Sequence, residues 1–204
     1  MERSGLQRII PIALVLIVII VAVVALVSLG RALFSGGGDA SPSPTPVNTG
    51  KQALKATTAD RSVRMAVRGP IVANENFHSY AITVSPDSRT MTTYVGYLGQ
   101  QVANEQLDNN VQAYTQFVNA LSRANLMEGT PLTGDANNTD GICATGYLYE
   151  FEVLQASNSI QRLWTSSCRG SLGSLKANLQ QVSQLFQLQI PRFKALSSAV
   201  NLSR

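Results

Sequence analysis

The chain has 204 residues, 45% of them hydrophobic and only 14% charged, and its sixteen Lys and Arg against twelve Asp and Glu give a formal net charge of +4. Three of those sixteen, Arg3, Arg8 and Arg31, flank a single apolar run, so the remaining excess is too small for a nucleic-acid-binding protein. Two cysteines and one histidine leave little room for thiol, metal or histidine-based catalysis.

From Ile9 to Val27 no residue is charged or polar, and through Ser28 to Leu29 the run reaches twenty-one residues. As a helix it would be about 31 Å long at ~1.5 Å per residue, close to the ~30 Å hydrocarbon core of a bilayer. In an open chain only a helix satisfies its own backbone in lipid, and Pro11 stands in the first turn, where its missing N–H costs little. Arg3, Arg8 and the α-amine precede the run and Arg31 alone follows it closely, which keeps the N-terminus inside. The run exceeds the apolar core of a cleaved signal peptide, and Ser28-Leu29-Gly30 is a poor cleavage site. Residues 1–8 are therefore expected to be cytoplasmic and 9–29 to form a transmembrane signal anchor in the plasma membrane, with the lipid bilayer as the first partner.

Residues 30–50 read as a linker, because the stretch from Ser35 to Gly50 is built almost entirely from Gly, Ser, Pro, Thr, Asp and Asn and can bury no apolar surface. Between coil and polyproline limits it would hold the C-terminal part of the chain roughly 20–45 Å from the bilayer. Residues 51–204 are long enough for one extracytoplasmic domain with its own core. Lys51, Lys55, Arg61, Arg64 and Arg68 open it as a locally basic series, read as a solvated face rather than a patch for phosphate, anionic lipid or wall polymer.

A short helix is expected around 52–59. Val63, Met65 and Val67 then alternate with Ser62, Arg64 and Arg68 in a first strand, and Tyr80, Ile82 and Val84 mark a second. Ser85-Pro86-Asp87-Ser88 supplies a turn, and Arg89 to Leu98, rich in Thr, Tyr and Val, reads as the third strand of an antiparallel meander. From about 108 the period lengthens: Leu107, Val111, Tyr114, Val118 and Leu121, with Phe117 alongside, describe an amphipathic helix ending near Asn125, capped by Asp108 or Asn109. After a polar loop over 128–141, alternation from Cys143 to Val153 predicts a long strand, and Ile160, Trp164 and Cys168 its partner. Leu175, Leu179, Val182 and Phe186 define a second helix from about Ser171 or Ser174 that Pro191 interrupts, and Phe193, Leu196 and Val200 a short terminal one. The expected fold class is α+β, a helix-covered antiparallel sheet of order β-β-β-α-β-β-α behind an N-terminal transmembrane helix.

Cys143 and Cys168 both fall on the expected exterior, where oxidation is permitted, so they are expected to pair as a disulfide. Direct pairing across a hairpin requires a turn between Gln155 and Ala156. The turn-prone Ser157-Asn158 slides the cysteines four positions out of register, so the bond then needs a bulge, an uneven loop or a place beyond the strand ends. A catalytic thiol would have only His78 as base, and a zinc site would lack ligands.

Other candidate sites are weaker. The loop Asp135 to Gly141 has clustered oxygen ligands, but its glycine stands one position late for an EF-hand and Gly146 occupies the place of the bidentate Glu. Asn137-Asn138-Thr139 is a glycosylation triplet. His78 has no Ser or Asp at a spacing that builds a triad. Glu150 and Glu152 lie about 7 Å apart along a strand, a spacing that imitates an acid pair, yet glycosidases draw theirs from opposite sides of a cleft. Tyr94, Tyr97, Tyr147, Tyr149 and Trp164 could present a sugar- or peptide-binding surface, with core packing the simpler account. No cofactor, metal or catalytic residue is expected.

Gly69-Pro70-Ile71-Val72-Ala73-Asn74-Glu75, Ile82-Thr83-Val84-Ser85-Pro86, Tyr94-Val95-Gly96-Tyr97, and Leu163-Trp164 before Cys168 resemble uncharacterised single-span envelope proteins of candidate-phylum, Saccharibacteria-like bacteria. The resemblance implies the anchored layout and no activity. The expected function is a membrane-anchored binding or scaffolding module of a bacterial envelope, with an envelope protein or wall polymer as partner and no nucleic acid. The alternative is an anchored hydrolase of wall polymer or peptide.

Overall fold

Alternation of apolar and polar residues sets the centre of the fold. In β1 (Arg61–Arg68) Val63, Met65 and Val67 are buried, which turns Arg64 and Arg68 to the opposite face. The computed structural model describes residues 49–202. The expected cytoplasmic segment, the span at 9–29 and the linker up to 48 lie outside the described residues, and so do the last two residues. Among the described residues no helix is long and apolar enough to cross a membrane.

The described residues begin with α1 (Thr49–Lys55), so Thr49 and Gly50 belong to a helix rather than to the linker, and this helix stops short of the expected 52–59. After it come β1, β2 (His78–Val84), β3 (Ser88–Val95), β4 (Gln100–Asp108), α2 (Val111–Arg123), β5 (Leu148–Gln155), β6 (Asn158–Ser166), α3 (Leu179–Gln187) and α4 (Phe193–Ser198). The six strands form one antiparallel sheet in the order β4-β3-β2-β1-β5-β6. A four-strand meander is thus extended on its β1 side by the β5–β6 hairpin. The α+β class stands, and the order gains a strand, because β4 follows the expected three.

β4 has the sequence QQVANEQLD and buries almost nothing. Hydrophobic alternation cannot reveal such an edge strand, since its backbone pairing with β3 defines it. The third strand correspondingly stops at Val95, and Gly96 to Gly99 make the turn, with both glycines at φ near 70°.

The core lies on one face of the sheet. Leu163, Phe151, Met65, Ile82 and Met91 stand opposite one another across five adjacent strands, each fully buried. Tyr114, Phe117, Val118 and Leu121 of α2 and Val182 and Phe186 of α3 close over this row. Phe186 meets Phe117 edge-on at 5.3 Å between ring centroids and lies 5.9 Å from Phe151, while Phe193 of α4 meets Tyr80 at 5.7 Å. The N-cap of α2 is Asn110, whose side chain accepts from Ala113 N at 2.9 Å, and not Asp108 or Asn109. The second helix starts only at Leu179, capped by Asn178. The residues before it run irregularly along β6, where Ser174 N and Leu175 N both donate to Trp164 O.

The cysteines are bonded, 5.3 Å apart at Cα. Of the geometries open to them, the one found lies beyond the strand ends. β5 begins at Leu148 rather than at Cys143, which occupies a turn at φ 59°, and Cys168 comes after the end of β6. Phe151 faces Leu163, a bulge intervenes after Val153, and Ala156-Ser157 forms a two-residue turn at φ 51° for Ala156.

Candidate binding cleft at the end of the sheet

Because the hydrophobic residues of β1 and β5 face the helices, their charged residues meet on the outer face. Arg64 stands directly opposite Glu152, and its Nε and Nη2 both donate to one carboxylate oxygen. Glu150 takes Nη2 of Arg162, which projects from β6, and faces Arg68 Nε at 3.4 Å. The basic series is therefore divided: Lys51 pairs with Glu128 at the far side of α1, and Arg64 and Arg68 are consumed by sheet carboxylates.

The segment between α2 and β5 is long and mostly without regular structure, which in a small domain points to function. Its anchor is Thr139, 6% exposed. The Thr139 hydroxyl accepts from Nη2 of Arg68 and, at 2.9 Å, from Nη2 of Arg162, while Arg162 Nη1 donates to Asn137 O at 2.9 Å. Burial pushes the guanidinium pKa of Arg68 down, opposed by the nearby Asp140. That of Arg162 is pushed down by burial first and then by Arg68 and Arg64. Both stay charged, since an arginine does not lose its proton in a protein. Three arginines thus face Glu150, Glu152 and Asp140, and the cluster closes its own charge.

The pinned segment forms one wall of a cleft of about 510 Å³ at the end of the sheet, a volume typical of ligand sites. Thr139, Asp140, Gly141 and Ile142 line that wall, and Gly96, Tyr97 and Gly99 of the β3–β4 turn line the other. Phe77, Ile71 and Leu148 complete an apolar interior with Arg68 and Ser79 at its polar side. The cleft is held open from three directions. Tyr97 stacks on Phe77 at 4.1 Å and 13°, its hydroxyl donates to Val72 O at 2.7 Å and accepts from Val72 N at 3.1 Å, and its own N–H donates to Asn74 Oδ1 at 3.0 Å. Ile71 N donates to Ala144 O at 2.8 Å, and the disulfide ties the same segment to the chain after β6. Ile71 and Tyr97 of the lining are exposed, as is Val72, which lines the neighbouring hollow, and Leu98, at the tip of the turn, is 99% exposed.

The sequence candidates sort clearly against this geometry. Cys143 and Cys168 secure the wall of the cleft. Glu150 and Glu152 are engaged by arginines. His78 lies in a separate hollow of about 280 Å³ whose lining includes Tyr147 and Asn201 but no carboxylate, thiol or serine hydroxyl. Asp135 sits in a short 3-10 turn and Asp140 faces the arginine cluster; among the described residues no three His, Cys, Asp or Glu side chains come together at metal-binding distances. The five aromatic residues do not share a surface. Trp164 is buried, with Gly173 against its ring, and Tyr147 and Tyr149 pack against each other and the core. Tyr97 alone of the five is presented to solvent at the cleft. Thr139 is visible in the sequence only as part of the Asp135–Gly141 loop and the glycosylation triplet, and Arg162 and Leu98 carry no mark that would single them out as site residues. The only signal for the last is the Gly96-Tyr97-Leu98-Gly99 spacing, which places an apolar residue at a turn tip.

No protein-family model matches the chain, and no curated protein shows a match to it.

Proposed function

We propose that this protein is a membrane-anchored extracytoplasmic binding or scaffolding module of a bacterial envelope, and that the cleft between the β3–β4 turn and the Thr139 segment is its binding site. The observation that carries the reading is the preorganised apolar mouth: Tyr97 is fixed by three hydrogen bonds and a stacked ring, yet it, Ile71 of the lining and Leu98 at the turn tip are left exposed. Rigid exposed apolar surface of this kind marks a site for association, because ordering it for a partner costs little further entropy. The apolar run at 9–29, the Gly/Pro-rich stretch after it and the paired cysteines support placement outside the cytosol on a spacer. A hydrolase finds no comparable support, since the carboxylates that would serve it are tied to arginines.

The test uses the full chain in a bacterial host, tagged at both ends. Added protease should digest the C-terminal tag and the domain in intact cells while sparing the N-terminal tag, and carbonate washing should leave the chain in the membrane fraction. Protection of the C-terminal tag until the cells are lysed would overturn the reading.

A further inference from the structure

We propose that the hollow beside α1, at the opposite end of β1 and β5 from the cleft, is an anion site that takes the carboxylate of a small organic acid on Arg61. The inference is independent of the binding reading of the cleft, since it uses none of that cleft's residues.

Within the basic series that opens the domain, Arg61 stands apart. Lys51, Arg64 and Arg68 meet carboxylates, and Lys55 is exposed to water. Two residues before Val63, Arg61 shares the helix-covered face of β1, and Tyr114 of α2 feels its charge. Its Nε and Nη1 are cut off from solvent, and among the described residues neither has a hydrogen-bond partner. The adjacent carboxylate, Asp60, is held by Thr58 Oγ1 at 2.6 Å and Gln155 Nε2 at 2.8 Å and reaches neither nitrogen. A charged donor without an acceptor costs more than a neutral one, so this position favours an incoming anion. A second polar group is left over beside the same helix: Gln161 of β6, 6% exposed and close against Gly50, has its Nε2 unpaired.

The hollow gives an anion room. It measures about 350 Å³, and its lining combines Arg61, Gln52 and Gln155 with the apolar Ala53, Ala56 and Ile160. No carboxylate belongs to that lining, so nothing in the wall repels a negative group. One guanidinium balances one negative charge. A carboxylate matches that count and lets a short aliphatic tail lie on Ala53, Ala56 and Ile160, whereas the second charge of a phosphate dianion would meet only neutral amides and apolar carbon.

The experiment uses the full chain in a non-ionic detergent and a Tris chloride buffer, with butyrate, its neutral counterpart butyramide and inorganic phosphate as probes at matched ionic strength. Butyrate at roughly five times its dissociation constant should raise the melting temperature read from Trp164 fluorescence by about 2–4 °C, and butyramide and phosphate should not. In the wild-type chain labelled with heavy nitrogen in its arginines, one Nε–H resonance should move with butyrate while the others stay. Arg61→Met keeps the stem and removes the charge. It should abolish both responses, and without butyrate it should melt no lower than the wild type, because the charge it removes is unmatched. Lys55→Met, a change at an exposed cation of the same series, should leave both responses intact. A rise with butyramide equal to that with butyrate, or a butyrate rise that survives Arg61→Met, would overturn the site, and so would the absence of both a rise and a moved resonance with butyrate. An equal rise with phosphate would overturn the organic carboxylate as its ligand. A lower melting temperature of Arg61→Met without butyrate would show that the fold itself matches the charge, and would overturn the proposal as well.

Discussion

Thr139 shows how much one hydroxyl can organise. It stands in a polar segment that composition alone describes as loop, and two guanidiniums from different strands converge on it. Both Arg68 and Arg162 are partly withdrawn from water, so losing their shared acceptor leaves donors that solvent does not fully replace. Thr139→Val keeps the shape and removes the oxygen. It should cost roughly 1–3 kcal/mol of stability in urea melts. Amide exchange should accelerate over 137–142, while the amides of β1 to β3 keep their protection. Uniform acceleration across the sheet would show that Thr139 has no local role. The same residue explains a limit of sequence reading: Arg64, Arg68, Glu150 and Glu152 are visible as polar positions of strands, but which carboxylate meets which arginine depends on the register of β1 against β5, 80 and more residues away along the chain.

At the scale of elements, the disulfide and the edge strand carry opposite lessons. The pairing of Cys143 with Cys168 follows the expectation drawn from their number and an expected exterior placement, whereas the position of the bond is legible from neither, because β5 starts five residues after Cys143 and the bond closes between two turns. Its role is to fasten the cleft wall. Replacing both cysteines by serine should destabilise the domain by roughly 3 kcal/mol on the chain-entropy model for a loop of this length. The circular dichroism of the sheet should persist below the lowered melting temperature, and exchange should rise first over 139–147. Retained protection there would mean that the Thr139 hydrogen bonds suffice to hold the wall. β4 escapes sequence reading because it has neither apolar alternation nor β-favouring composition. Eight of its nine residues pair with β3 along their backbone, Val102 falling at a bulge, and they leave the other edge open, guarded by Gln, Asn and Glu side chains. The cap at Asn110 differs from the expected position by one or two residues for a smaller reason, since Asp108, Asn109 and Asn110 all have capping side chains and only the backbone path out of β4 selects among them.

The whole described domain depends on the row Leu163, Phe151, Met65, Ile82 and Met91, which links the β5–β6 hairpin to the meander beneath α2 and α3. Phe151 stands beside its central residue, Met65, and touches Phe186 of α3. Phe151→Ala should cost roughly 3–5 kcal/mol, a large part of the stability of a domain this size. The expected sign is an equal shift of the urea transition seen by circular dichroism and by tryptophan fluorescence; separate transitions would show that hairpin and meander unfold independently. Read by itself, the sequence determined the alternation that buries Val63, Met65 and Val67, the helical stripes of α2 and α3, and the α+β class, because each of these is a periodic pattern whose apolar face must find cover within a few residues' span. The tertiary structure alone decided that β4 exists, that the arginines and glutamates neutralise one another, and that Tyr97 and Leu98 stand at the mouth of a cleft. Those outcomes come from strand register and loop placement, which join residues far apart in the chain and leave no local period to read.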